Sequence, residues 1–500
     1  MTLMVSEFLA SEFLASQSLG AVVLLPLAAA ALCVLAPRAE RSVGLVGVLV
    51  SAGLSIPIVA AVSSGQTLQL VLGGFDAPLG IHLRADGLSV VFLVLTHAVG
   101  VVVSGYAAAS ATTPRGLWAL WLGCLAGLNA VFVSGDLFNT YVGLELVGLT
   151  AVALVALGGR SAWRPGLRYL FVAVLGSLLF LIGVGVIVSA TGTLDIEQAA
   201  GVFAAEEDLA PAAVTALALI TVGLCLKLAL VPMHAWLVAA HAAAPSAVSP
   251  LLSGLVIKAA LFVVLRCWLY LTGADLAGSS GATTLVWVLG GLGAAAVIGG
   301  SVMALRQTAL KPLVAYSTVA QVGYWFLAFP LLLDPDAAEG AFAGIVALAL
   351  GHGVAKVGLF LAAGYLKDTF GTDEIEALRG AGHHHPLVVM SIGLVGVGLI
   401  GLPISLGFTG KWQVATAAVE AGQWWILAVL VAGTLLAAGY LVRVIAPLLM
   451  EEFLGHETPP ETRNFRAPTG LAVLTLGVLT IVTGFGGVWI NELLEVNAPW

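Results

Sequence analysis

Long apolar runs, each about the length of a bilayer crossing, follow one another along almost all of the 500-residue chain. A spanning helix needs roughly 20 mostly apolar residues. Fourteen such runs can be read: 18–36, 43–63, 87–109, 117–134, 137–158, 167–191, 211–232, 246–272, 282–304, 312–332, 340–366, 386–409, 422–449 and 468–490. Short stretches rich in Gly, Pro and charge separate them, as breakers should. Only 9% of residues are charged and the mean hydropathy is +1.07, whereas soluble domains carry roughly 25% charge. A soluble enzyme and a disordered chain are therefore excluded. A net charge of −8 with no large basic patch excludes a nucleic-acid binder. The runs are continuous rather than alternating, which excludes an outer-membrane barrel. The expected fold is all-α and polytopic, with about fourteen transmembrane helices.

Basic residues orient the spans, because cytoplasmic connections carry the excess of Lys and Arg. Thirteen of the nineteen fall on odd-to-even connections: Arg38, Arg41, Arg115, Arg160, Arg164, Arg168, Arg306, Lys311, Lys367, Arg379, Arg443, Arg463 and Arg466. The opposite connections carry Arg84 alone, and the other five lie within apolar runs. This split predicts a multi-pass protein of the cell (inner) membrane with both termini outside. Asp195, Glu197, Glu206, Glu207, Asp208, Asp334, Asp336 and Glu339 read as solvated charges on outer connections. The alternation over 67–72 predicts a short outer strand. His383, His384 and His385 are adjacent in an inner connection and converge poorly on one ion, so no metal site is expected. Cys33, Cys124, Cys225 and Cys267 sit in apolar runs without a CxxC and read as small hydrophobic filler. No Lys or Arg precedes Arg38, so no cleavable signal is expected. The doubled Ser-Glu-Phe-Leu-Ala over 6–15 suggests no function.

Ionisable residues inside the apolar runs carry the functional information. A Lys or Asp at a helix centre costs at least ~2.5–3.5 kcal/mol, so such groups are site candidates by default. Glu145 lies within the fifth run, Lys227 in the seventh and Lys258 at the centre of the eighth. His352 and Lys356 are four residues apart in the eleventh and share a helix face. Lys411 follows Gly407-Phe408-Thr409-Gly410 at the edge of the twelfth. Arg266, near a helix end, is expected to snorkel to the headgroups. One acid cannot pair with several lysines, so the unpaired amines must be neutral or reached by internal water, the condition a proton relay requires.

Predicted helix breaks fall beside two of these lysines. Pro232 lacks a backbone donor five residues after Lys227, and Gly401, Pro403, Gly407 and Gly410 cluster before Lys411. Paired discontinuous helices in two halves of a transporter point to an ion path. The breaks are five spans apart, and a five-helix unit repeated in tandem enters the bilayer from opposite sides. The chain is thus expected to divide into a three-helix segment (1–110), a first half-channel repeat (111–272), a second, inverted repeat (273–449), and an inner loop with the last helix (450–500). Spans 4–8 and 9–13 form the two repeats. No nucleotide-binding loop or nucleophilic triad occurs, so no catalytic residue and no cofactor is expected.

Several stretches resemble one family. Ser134-Gly135-Asp136-Leu137-Phe138-Asn139-Thr140-Tyr141-Val142-Gly143-Leu144-Glu145 is similar to the fifth-helix signature of the antiporter-like subunits shared by respiratory complex I and the multisubunit Mrp-type cation/proton antiporters. Lys227-Leu228-Ala229-Leu230-Val231-Pro232-Met233-His234-Ala235-Trp236-Leu237, the following His241 to Ser249, and Leu310-Lys311-Pro312-Leu313-Val314-Ala315-Tyr316-Ser317-Thr318 resemble further blocks. His352-Gly353-Val354-Ala355-Lys356 and Gly407-Phe408-Thr409-Gly410-Lys411 complete the set, over roughly residues 110–415. The resemblance implies two inverted five-helix half-channels and specific roles. Glu145 would pair with Lys227. Lys258 would be the central relay towards His352 and Lys356, and Lys411 the terminal donor or acceptor. His234 and His241 would stand near an entrance.

Within the family, Asp136-Leu137-Phe138-Asn139 is most similar to the smaller, D-type component of the Mrp antiporters. With its last apolar run close to residue 500, the chain is expected to lack the long lateral helix of the largest complex I subunit. The expected function is a proton-conducting subunit of a multisubunit Na+/H+ (or K+/H+) antiporter, with other membrane subunits as partners. The alternative is a proton-pumping subunit of complex I or a related redox-driven complex.

Overall fold

The computed structural model describes residues 2–75, 78, 80–271, 278–450 and 467–497. The N-terminal segment holds α1 (Thr2–Leu35), α2 (Glu40–Ser63), a hairpin of β1 (Leu68–Val71) and β2 (His82–Ala85), and α3 (Gly87–Ala109). A first unit follows: α4 (Leu117–Phe132), α5 (Leu137–Ala156), α6 (Arg160–Thr191), the short α7 (Ile196–Ala205), α8 (Ala210–Leu228), α9 (Ala235–Ala243) and α10 (Val248–Leu271). A second unit repeats the order of its main helices: α11 (Ser280–Leu305), α12 (Leu310–Leu327), α13 (Ala338–Phe370), α14 (Pro386–Ile400), α15 (Leu406–Glu420) and α16 (Trp424–Leu449). The described chain ends with α17 (Ala467–Val482) and α18 (Gly487–Leu494).

Among the described residues, twelve helical segments are long and apolar enough to cross a membrane. The fourth and twelfth expected spans appear as the shorter apolar helices α4 and α14. Each unit contains one interrupted helix, α8/α9 in the first and α14/α15 in the second. The expected strand over 67–72 is β1, antiparallel to β2 with Leu68 opposite Ala85 and Val71 opposite His82. Arg463, Arg466 and nearly all of the expected inner loop at 450–467 lie outside the described residues.

Short polar residues set the helix starts. Asp86, Asp136 and Asp195 cap α3, α5 and α7, accepting from the amides of Ser89, Asn139 and both Glu197 and Gln198. Ser405 caps α15 through the Phe408 amide. Each cap satisfies at least one of the four amide donors a helix leaves unpaired at its start.

The apolar surface is the reverse of a soluble protein's. Large apolar residues on α1, α2, α6 and α16 face outward; Phe171 is 73% exposed and Leu435 is 69% exposed. The most apolar stretches of α10 and α13 are, by contrast, wholly buried. These two enclosed helices carry Lys258, His352 and Lys356. At each break the helix end that carries the lysine is buried, at Leu228–Leu230 and at Ser405–Gly407, while Pro232 and residues 402–404 are exposed.

Candidate proton-relay site

The first break places an ion pair between a buried lysine and a partly exposed glutamate. α8 ends at Leu228, so Lys227 stands in its last turn. The indole Nε1 of Trp236 donates to the freed Leu226 carbonyl at 3.0 Å, and its ring stacks on Tyr169 at 4.1 Å. This ties α9 back to the end of α8, with Pro232 and His234 in the gap between them. Lys227 Nζ donates to Glu145 Oε1 at 3.3 Å, and the Ser177 hydroxyl donates to the same oxygen. The close approach of α6 and α8 behind the lysine needs glycine. A Cβ on Gly176 would lie 2.5 Å from the Gly223 carbonyl oxygen, and one on Gly223 would lie 2.5 Å from the Gly176 carbonyl oxygen. Between Lys227, Tyr169, Val256 and Ala260 lies a cavity of about 20 Å³, room for roughly one water. It leads from the pair towards α10.

A π-helical stretch, Leu252–Val256, opens the middle of α10 just before Lys258. Such stretches are frequent at functional sites. Here Lys258 Nζ donates to the Ser253 carbonyl at 3.1 Å and meets Nδ1 of His352. The same Nζ lies 4.9 Å from the Trp325 ring centroid, a cation–π position. With Nδ1 accepting from the amine, the other ring nitrogen, Nε2, carries the hydrogen, and it has no partner. One turn on, Lys356 Nζ donates to the Val314 carbonyl at 3.1 Å and to the Ser317 hydroxyl. Lys258 and Lys356 have no measurable exposure, and His352 is 2% exposed. Among the described residues, neither lysine has a carboxylate within ion-pair distance.

The second break places Lys411. Gly401 ends α14 with φ of +79°, and a Cβ there would lie 2.9 Å from Lys411 Cδ. Glycine thus serves both the left-handed turn and the passage of the lysine stem. Pro403 lies in the gap between α14 and α15. Lys411 Nζ donates to the Ile400 carbonyl and to Thr434 Oγ1, both at 2.8 Å, and sits 4.5 Å from the Tyr324 ring centroid. Gln321 Nε2 donates to the Leu399 carbonyl at 3.1 Å, satisfying another carbonyl of the broken end. Hydropathy put Lys411 at the rim; the structure buries it.

The structure therefore joins Glu145 to Lys227 and Lys258 to His352, with Lys356 a turn away; it sets Lys411 apart in its own cage. His241 is buried and stacked on Phe360 at 4.4 Å, with Nδ1 unpartnered. It lies within electrostatic reach of Lys311 and Lys356. His234 is outside this cluster, its ring 6.4 Å from that of Tyr316.

Several sequence expectations are corrected. Lys311, counted with the inner connections, is 2% exposed and donates to the Ala244 carbonyl at 3.0 Å. It lines a polar cavity of about 370 Å³ with Thr112, Ser161, Ser246, Lys367 and Asp368. The start of an apolar run was the only sign of its burial. Arg266 does not snorkel: it is buried and paired with Asp86, its NH2 donating to Asp86 Oδ1 at 3.0 Å and to Ser89 Oγ at 2.9 Å. Nor is Glu145 the one acid inside. Asp86, Asp136 and Asp195 are all buried. Asp195 is not a solvated loop charge, since its Oδ2 lies 2.9 Å from His82 Nδ1, and Glu197 pairs with the buried Arg84. Burial pushes the Asp136 carboxyl up, against amide hydrogen bonds that pull it down.

Comparison with known proteins places this arrangement. The family model described as NADH:quinone oxidoreductase/Mrp antiporter, transmembrane, matches residues 134–437. The N-type subunit of NADH-quinone oxidoreductase from Desulforudis audaxviator is 33% identical over 479 residues, 91% of this chain and 93% of that one. The D-type subunit of the Na(+)/H(+) antiporter from Alkalihalophilus pseudofirmus is 29% identical, with 86% of each chain covered. The fold matches a chain of the Mrp complex from Dietzia sp. with a TM-score of 0.86, at 24% identity and 97% coverage of both. With both breaks and every lysine of the interior lying inside the matched segment, the chain belongs to the NADH:quinone oxidoreductase/Mrp antiporter transmembrane family.

Proposed function

We propose that this chain is a proton-conducting subunit of a multisubunit cation/proton antiporter, moving H+ inward in exchange for Na+ (or K+) outward. One observation carries the reading: a row of buried amines, Lys227, Lys258, Lys356 and Lys411, runs through the interior, with His352 against Lys258 and one carboxylate, Glu145, at its start. Glu145 holds a proton on Lys227, and opening of that pair frees it towards Lys258 through the intervening water-sized cavity. His352 and Lys356 pass it on to Lys411, the terminal group. The polar cavity at Lys311, with His241 behind it, is the inner mouth; His234 is assigned to the entrance on the resemblance alone. In this role the chain is a transporter subunit rather than an enzyme. It crosses the inner membrane fourteen times with both termini outside, in the four segments 1–110, 111–272, 273–449 and 450–500. Other membrane subunits are its partners. The exchange of Na+ rests on likeness to the antiporter relatives alone.

A second reading makes it a proton-pumping subunit of a redox-driven complex, and 33% identity to an N-type quinone oxidoreductase subunit favours it. A pull-down in mild detergent separates the two. Small membrane subunits of antiporter type support the first reading, and flavin or iron–sulfur subunits replace it with the second. Cation-dependent acidification of vesicles carrying the complex tests conduction itself. Unchanged acidification with Lys258→Ala would remove the relay.

A further inference from the structure

Between Lys356 and Lys411, the second half of the row contains no further titratable amine or acid among the described residues, yet it holds two fully buried tyrosines. Tyr324 and Tyr440 are at most 1% exposed, and neither hydroxyl closes a hydrogen bond. A buried hydroxyl left unsatisfied pays its desolvation without a compensating bond, so each demands a reason. Position supplies one. The Tyr440 hydroxyl, on α16, faces Ser317 and Gln321 of α12. Ser317 is the residue that receives the Lys356 amine. The Tyr324 hydroxyl, also on α12, faces Tyr440 and Thr434, and Thr434 receives the Lys411 amine at 2.8 Å. Space for the Tyr324 hydroxyl is made by Gly433: a Cβ there would lie 2.3 Å from that oxygen.

We propose that Tyr440 and Tyr324 form a hydroxyl relay that carries protons between Lys356 and Lys411. This inference rests on the proton-conducting reading above and names the residues of its second half. A phenol donates one proton while accepting another, so each transfer leaves the relay unchanged: one proton leaves the Lys356 ammonium and one arrives on the Lys411 amine. At rest the end hydroxyls are turned away. Ser317 donates to the Val314 carbonyl at 2.9 Å, and Thr434 to the Leu430 carbonyl at 2.8 Å. Rotation of each about one side-chain bond completes the row.

Tyr440→Phe and Tyr324→Phe test the relay. Phenylalanine keeps the ring that packs the core and, at 324, the ring beneath the Lys411 amine, and removes only the hydroxyl. Proton flux per assembled complex is expected to fall at least tenfold in either variant, with unchanged assembly in the membrane. Lys258→Ala in the same vesicles is the control. If Lys258→Ala is inactive while both Phe variants keep more than half of the flux, the relay is wrong and the conducting reading stands. If Lys258→Ala conducts normally, that reading falls and the relay with it.

Discussion

The two broken helices solve one problem in two ways. In the first unit, Lys227 at the end of α8 is held by a carboxylate, Glu145, 3.3 Å away. In the second, Lys411 beside the α14/α15 break is held by a carbonyl, a hydroxyl and an aromatic face, with no acid within ion-pair distance among the described residues. A carboxylate can leave its lysine and return, so the first cage has two charge states to switch between. A cage of dipoles has no such switch and stabilises an ammonium through geometry alone. On the conducting role proposed above, the difference would assign control to the first unit and passage to the second.

The largest effects should come from the centre and the switch. Lys258→Ala is expected to reduce proton flux to background. Lys258→Arg should do the same, since a guanidinium stays charged and cannot hand its proton on. An active Arg variant would reduce Lys258 to a fixed positive charge. Glu145→Ala should also abolish ΔpH- or Na+-driven flux with assembly intact, a loss of more than about 2.7 kcal/mol for any hundredfold drop. Near-normal transport in vesicles would take the carboxylate out of the path and erase the contrast between the two units.

How much of this was legible in sequence depended on how local each cause is. The breaks were visible because Pro232, Gly401 and Pro403 act on their own backbone. The face shared by His352 and Lys356 was visible from a four-residue spacing. The contact between Lys258 and His352 spans 94 positions, and no periodicity encodes it. The same holds for Asp86 and Arg266, 180 positions apart, so Arg266 looked like a lone cation near a helix end. Lys311 stands one residue before an apolar run and five after Arg306, so it read as part of the connection. Tyr324 and Tyr440 were invisible for a different reason: hydropathy cannot separate a tyrosine that packs from one whose hydroxyl is used.

Asp86 and Arg266 offer a stability test on the same contrast, because they are an acid–base pair that has no reason to open. Burial pushes the Asp86 carboxyl up, but the charge and hydrogen bonds of Arg266 more than offset this and leave it below the usual range. A lowered acid contributes stability that is present above the ordinary carboxylate value of about 4 and lost as pH falls through the folded value. Thermal stability of the purified protein should therefore be flat near neutrality and fall in strong acid. Asp86→Ala, which strands a buried guanidinium, should destabilise by about 3–5 kcal/mol at neutral pH, read as a lower melting temperature. Unchanged melting would mean that Arg266 finds another partner or water.

The smallest and most discriminating effect is expected from giving the second unit what the first has. Thr434 already accepts from Lys411 at 2.8 Å, so Thr434→Asp would place a carboxylate where the hydroxyl now lies. Lys411 would then hold its proton against a counter-charge, as Lys227 does. Flux should slow about tenfold, equivalent to roughly 1.4 kcal/mol on the limiting step. Thr434→Asn has the same shape without the charge and should stay within about threefold of the unaltered protein. Equal rates for the Asp and Asn variants, measured per assembled complex, would show that counter-charge is not what distinguishes the two breaks. The reason for Glu145 would then have to be sought in the packing of α5 against α6, where Ser177 already holds the same carboxylate.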